Sequence, residues 1–267
     1  MKKAILIAAV LGLSISFLQA QEAAAPQDGE SSSVSQNQNS SQAQDSGAAG
    51  ASSKWYNLFG GSFVPPKNGK EFLSQISPFV NVGANIIINT ESELKSAPNP
   101  TAFALSFGAI WPNKAFVSFQ PRLSFWWSYH LWDGENALPA EIENRTAFAL
   151  NFMFDLPAVA TFRFNRCQLE AGLGLGILAR VALLAGGVED SDAGASGSAG
   201  GDKEKIQEWF WSGARFLYPE LFVAWEWNFT PRIAAGLEAR WYIPIGSLIN
   251  ARGLDASVIA LSAKLIF

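Results

Sequence analysis

The sequence predicts an all-β fold: an eight-stranded antiparallel, up-and-down transmembrane β-barrel with a disordered N-terminal tail. Three observations carry this. The first is the stretch from Arg145 to Ala185, where apolar residues alternate with polar, charged or small ones with period two. From Thr146 to Phe164 the even positions include Phe148, Leu150, Phe152, Phe154, Leu156, Phe162 and Phe164, against Asn151, Asp155, Thr161 and Arg163. After Asn165-Arg166 the apolar face moves to odd positions: Cys167, Leu169, Leu173, Leu175, Ile177, Val181 and Leu183. Successive side chains of a strand point to opposite faces, so these are two strands joined by a tight turn. Each is about twenty residues long, against about 5–6 for a soluble strand and ~9–11 for a membrane crossing. The second observation is that connections alternate long and short along the chain. The third is that no apolar run beyond the N-terminus approaches the ~18 residues of a spanning helix. Only helices and closed barrels satisfy every backbone group in lipid.

The chain opens with Met1-Lys2-Lys3 and the apolar run AILIAAVLGLSISFL, followed by Gln19-Ala20. A basic start, an apolar core and a small residue at the cut define a secretory signal peptide over residues 1–20, although Leu18 makes the cleavage motif imperfect. Residues 21–71 form a low-complexity periplasmic tail and an aromatic lead-in. Glu22 to Ser53 is Ser, Gln, Ala, Gly and Asn without apolar periodicity, and such a segment buries too little surface to offset its ordering entropy. The run Lys54-Trp55-Tyr56-Asn57-Leu58-Phe59-Gly60-Gly61 suits a membrane interface or the barrel mouth.

The barrel is assigned to residues 72–267. The first strand spans about Ile76 to Asn89, with Val80, Val82, Ala84 and Ile86 on one face and Asn81, Gly83 and Asn85 on the other. After TESELKSAPNP comes the second, Thr101 to Trp111, with Phe103, Leu105 and Phe107 outward. Pro112-Asn113-Lys114 turns the chain into the third, which ends near Leu131 and sets Leu123, Phe125, Trp127 and Tyr129 against Arg122, Ser124 and Ser128. WDGENALPAEIEN leads to the long fourth and fifth strands. The connection Gly186–Ile206, rich in Gly, Ser and Asp, reads as a flexible loop. The sixth strand is placed at Gln207 to Phe229, the seventh at Ile233 to Gly246, and the eighth at Leu254 to Phe267, after the polar SLINARG. Four long connections then lie on one side, and three short turns with both termini on the other, as in outer-membrane barrels. Aromatics gather near strand ends: Trp111, Phe162, Phe164, Trp225, Trp227 and Phe229 toward the turns, Trp127, Tyr129, Trp209 and Trp211 toward the loops. Such girdles mark the two lipid interfaces. Pro121, Pro157, Pro219 and Pro244 fall inside these strands and, lacking a donor, predict bulges or bends.

With 19 basic and 23 acidic residues the chain is slightly acidic, which argues against a nucleic-acid partner. One cysteine, Cys167, and one histidine leave no intramolecular disulfide and little material for a metal site. No cofactor is expected. Glycines 172, 174 and 176 lie within a strand and open no helix, which excludes a phosphate loop. Ser128, His130, Asp133 and Glu135 form a weak hydrolase pattern, but they face inward, and the chain is read as non-enzymatic.

The last strand ends ALSAKLIF, alternating through Leu265 to a terminal Phe267. This resembles the C-terminal signal read by the bacterial outer-membrane insertion machinery. With Asp155-Leu156-Pro157, Gly172-Leu173-Gly174-Leu175-Gly176 and Gly236-Leu237-Glu238-Ala239-Arg240-Trp241, the region 72–267 resembles the small eight-stranded barrels of the OmpA, OmpX, opacity and OmpW type. The resemblance implies residence in the outer membrane and contact with its lipid and with that machinery. OmpW-like members are proposed to pass small hydrophobic molecules laterally into the membrane.

Arg122, Arg163, Glu170, Arg180, Glu220, Glu226, Glu238, Arg240 and Lys264 face inward on this register. An eight-stranded barrel is about wide enough for side chains to fill it, and buried charges must pair. These residues therefore line the lumen, as a rigid plug or as the wall of a narrow conduit that the inward glycines leave open. Passive permeation of small molecules, hydrophobic ones among them, is the leading expectation. Surface adhesion or interaction with an extracellular ligand, through loops such as Gly186–Ile206, is the alternative.

Overall fold

The computed structural model describes residues 65–88, 101–251 and 253–267. The signal peptide, residues 21–64 of the tail with its aromatic run, and residues 90–100 of the first long connection lie outside them.

Ten strand segments form one antiparallel sheet: β1 (Ser77–Ile87), β2 (Thr101–Ile110), β3 (Val117–Phe119), β4 (Arg122–Trp132), β5 (Ala137–Ala140), β6 (Ala147–Phe164), β7 (Cys167–Leu184), β8 (Leu217–Asn228), β9 (Ala234–Tyr242) and β10 (Val258–Ile266). β3 and β4 both pair with β6, so together they make one stave. The sheet runs from that stave through β6, β7, β8, β9, β10, β1 and β2 and returns to β4, closing an eight-stave barrel. Closure joins the ends of the chain: β1 pairs with β10 from Phe79↔Ile266 to Ile87↔Val258. β5 folds back on β4 from Tyr129↔Ala140 to Trp132↔Ala137, beyond the last β2 pair at Ala104↔Trp126.

The predicted alternation is realised in burial. In β6, Ala149, Asn151, Met153 and Asp155 are buried and Phe152, Phe154 and Leu156 exposed. The exposed face of β7 runs through Leu169, Leu173, Leu175, Ile177, Val181 and Leu183. At ~3.3 Å per residue and a tilt of ~40°, this band is on the order of 35 Å tall, enough for an outer-membrane barrel's apolar belt of ~25 Å. An apolar surface continuous around a barrel is lipid-facing, because no monomer leaves such an area in water. Ring pairs crowd both rims: Phe116–Phe162 at 5.3 Å and Trp225–Trp227 at 6.5 Å near the turns, Phe125–Phe152 at 5.3 Å and Tyr129–Phe148 at 5.6 Å toward the loops. Trp111 instead packs on Phe72 of the short helix α1 (Gly69–Ser74), with centroids 5.6 Å apart.

The prolines do not act as expected. No bulge occurs at Pro121 or Pro157, since β6 keeps one register from Phe119↔Ala158 to Arg122↔Asp155. The gap between β3 and β4 lies opposite Pro157. There the Gln120 amide donates to the Pro157 carbonyl at 3.1 Å, and no amide returns the bond. Two donor-less residues at one height share a single interruption. Pro219 stays in register opposite Leu175, and its carbonyl accepts from Ile243 at 2.8 Å. Pro244 lies outside the strands: β9 ends at Tyr242, and Pro244 precedes the short helix α3 (Ile245–Ile249).

The sixth strand is shorter than expected. Residues 207–211 belong to a helix, α2 (Ala199–Trp211), and the stave begins at Leu217. The connection read as a flexible loop therefore carries structure. Ser198 caps α2, accepting from the Gly201 amide at 2.9 Å, and Asp202 accepts from the Gly194 and Ser196 amides. Trp209 is consequently buried on the helix rather than part of a girdle, and Trp211 stands on the same helix, 43% exposed.

Candidate functional site

The inward parity of β4, β6, β8, β9 and β10 brings polar residues far apart in sequence to the barrel axis. They form two storeys. In the upper one the Arg122 guanidinium forks onto the Glu238 carboxylate, Nη2 donating to Oε2 at 2.8 Å and Nη1 to Oε1. Arg240 donates through Nε to Glu238 Oε1 at 2.8 Å and through Nη1 to Glu220 Oε2 at 2.9 Å and Asp155 Oδ1 at 3.4 Å. The Tyr242 hydroxyl donates to Asp155 at 2.8 Å, and the Asn81 amide to Glu238 at 2.8 Å. In the lower storey the Lys264 ammonium meets Glu226 at 2.7 Å, Glu170 at 3.0 Å and the Gln120 side-chain oxygen at 3.0 Å. Gln120 donates back to Glu170 at 3.0 Å, and Gln168 donates to Glu226.

Two aromatic rings join the storeys. Phe79 lies 5.0 Å from the Arg122 guanidinium and 4.8 Å from the Lys264 ammonium; Phe222 lies 4.2 Å from Arg240 and 5.6 Å from Lys264. Cations over ring faces lose less on leaving water, which helps a core of charges persist inside a barrel.

Arg122, Glu170, Glu220, Glu226, Glu238, Arg240 and Lys264 thus come together, all buried. Arg163 does not join them. It is exposed at the turn rim, and its guanidinium donates to the Ala115 and Asn113 carbonyls at 3.0 and 3.2 Å. Arg180 is buried, but lies at the other end, stacked 4.2 Å from the Phe210 ring of α2. The sequence list omitted Asp155 and Gln120, both fully buried members of the network. Asp155 had a signal, as an acidic residue on the inward face of a twenty-residue dyadic run. Gln120 had the same signal, sharing the polar face of the third strand with Arg122, but a neutral amide does not count among the lumen charges. Leu265 and Phe267 face outward, half exposed, and the Phe267 amide donates to the Pro78 carbonyl at 3.0 Å.

The inward glycines do not leave an open wall. A Cβ at Gly174 would lie 2.5 Å from the Pro157 Cα and 2.7 Å from Glu220 Oε1, and one at Gly176 2.8 Å from Met153 Sδ. The room is already taken by neighbours. Above the network, Trp126, Met153, Leu178, Tyr218 and Tyr242 form an apolar cluster. Over the loop-side mouth lies α2, whose Ile206, Trp209 and Phe210 pack on Ala137, Ala147, Ala149 and Ala182. The cavity between cluster and helix measures about 20 Å³, and one near Arg122 about 10 Å³.

The hydrolase pattern does not assemble. Ser128 Oγ accepts from Asn151 at 2.9 Å, His130 stacks edge-on against Phe210 at 4.9 Å, and Asp133 accepts from the Glu135 and Asn136 amides of its own turn. No group of metal-binding side chains occurs among the described residues.

No protein-family model and no curated protein matches the chain. Among solved structures it is similar to neisserial surface protein A, at 8% identity and a TM-score of 0.46, over 72% of this chain and 96% of that one. It is also similar to Ail of Yersinia pestis, solved with the heparin analogue sucrose octasulfate, at 12% identity and a TM-score of 0.36, over 72% and 98%. A de novo designed transmembrane β-barrel matches at 7% identity and a TM-score of 0.32, over 72% and 95%.

Proposed function

We propose that this chain is an integral outer-membrane barrel whose lumen is a structural plug and whose function lies at its loop-side surface, in interaction with an extracellular ligand. The observation that carries the reading is the filled interior: two storeys of paired charges, an apolar cluster above them, and α2 across the mouth. Permeation, the leading expectation from sequence, depended on free space beside the inward glycines, and neighbouring groups occupy that space. A network this closely paired holds a barrel rigid, and a rigid barrel suits the display of structured loops. Residues 1–20 act as the export signal, residues 21–71 as a periplasmic tail, and Leu265 and Phe267 as the signal to the insertion machinery.

The test is single-channel conductance of the refolded full chain in planar bilayers, with heat-modifiable gel mobility as the folding control. A folded barrel that stays silent is expected. Discrete openings altered by Arg122→Ala or Glu238→Ala would place the function in the lumen and overturn the reading.

A further inference from the structure

We propose that the chamber beneath α2 binds a monatomic anion, of which chloride is the common one, through Arg180, His130 and Trp209. Arg122, Arg240 and Lys264 each hold at least one carboxylate within the barrel. Arg180, 4% exposed, holds none among the described residues. Its Nη2 donates to the Arg215 carbonyl at 2.7 Å, and its plane lies 4.2 Å from the Phe210 ring and 5.9 Å from Trp209. Its Nε has no partner. A cation taken out of water without a counter-charge is the costly case of charge burial.

The surroundings specify what would compensate it. His130 Nδ1 and Trp209 Nε1 are likewise buried and unpartnered, and both residues line the chamber with Arg180. None of the residues lining it is acidic. A second guanidinium, that of Arg215, lies 4.3 Å from the Trp209 ring. Buried N–H groups beside a guanidinium without a carboxylate fit an anion. Volume decides its class. About 20 Å³ exceeds the ~10–15 Å³ needed for one water, and leaves no room for a phosphate or an organic acid. A water in this position would satisfy a hydrogen bond but leave the charge of Arg180 uncompensated. A halide does both.

The full chain, refolded and crystallised with bromide replacing chloride, tests this. The expected result is an anomalous bromide peak in contact with Arg180, absent from Arg180→Gln. If that variant does not refold, Trp209→Phe keeps the ring and removes one donor, and a weaker peak is expected. No anomalous signal, a water in its place, or an unchanged peak in the variant would overturn the site. In solution, at matched ionic strength, replacing gluconate by chloride at about ten times its dissociation constant raises the folded-to-unfolded ratio about elevenfold. Identical stability in the two salts would also overturn it.

Discussion

The side-chain amide of Gln207 takes the place of a strand beside Arg180: its Nε2 donates to the Arg180 carbonyl at 3.0 Å, and its Oε1 accepts from the Ala182 amide at 2.7 Å. β8 pairs with β7 as far as Leu217↔Ile177, and one further bond runs from the Leu178 amide to the Phe216 carbonyl at 2.8 Å, so the gap that Gln207 fills lies at Arg180 and Ala182. One glutamine on α2 supplies both halves of the missing ladder pair, fixing the helix to the rim and closing the edge.

Gln207→Ala should therefore loosen the cap and spare the barrel. Leaving the two backbone groups unpaired costs about 1–3 kcal/mol each where they stay buried. Hydrogen exchange at Ala182 should accelerate and proteolysis within 186–216 should increase, with heat-modifiable mobility unchanged. Unchanged exchange would mean the helix is held by its apolar face alone.

Glu238 is the carboxylate on which the upper storey turns, accepting from Arg122, Arg240 and Asn81. Glu238→Ala takes the carboxylate fork from buried Arg122 and one of the three carboxylates from Arg240, and should destabilise the barrel by about 3–5 kcal/mol. Denaturant unfolding of the refolded protein in detergent measures this. Arg163→Ala, at the exposed rim, should cost well under half as much.

Gly174 and Gly200 separate packing from conformational freedom. Gly174→Val drives a side chain into Pro157 and Glu220 and should prevent refolding. A Cβ at Gly200 in α2 meets nothing within 4 Å, and Gly200→Ala should stabilise the helix by up to about 1 kcal/mol. Refolding yield and thermal unfolding read the pair.

Leu173 is 67% exposed on the outer face of β7. Leu173→Arg should destabilise the barrel in lipid by ~2–4 kcal/mol, the penalty for a cation near the bilayer midplane. Glu143→Arg, on the exposed loop, should be close to neutral. Equal effects at both positions would argue against the assigned lipid belt.

The barrel is legible in the chain alone: its class, the number of staves, the face each strand turns to lipid and, Asp155 and Arg163 aside, which charged residues enter the lumen. Alternation with period two is a local property, and side-chain direction follows from it without knowledge of any partner. The structured cap was legible in part. Ala199, Asp202, Ile206, Trp209 and Phe210, the buried positions of α2, recur at helical spacing after the capping Ser198. The aromatic run Trp209-Phe210-Trp211 reads as the start of a strand and masks that period. Arg163 keeps its inward parity and its ladder partner Gln168, but it stands at the last such position before the turn, beyond the packed lumen, where its guanidinium reaches the Ala115 and Asn113 carbonyls. That the glycines make room for Pro157, Glu220 and Met153 instead of a passage emerges only when the staves meet. So does the pairing in which Glu238 serves two arginines while Arg180 is left with none, because pairing depends on the height at which staves from distant parts of the chain meet, and that height is set by register around the closed barrel.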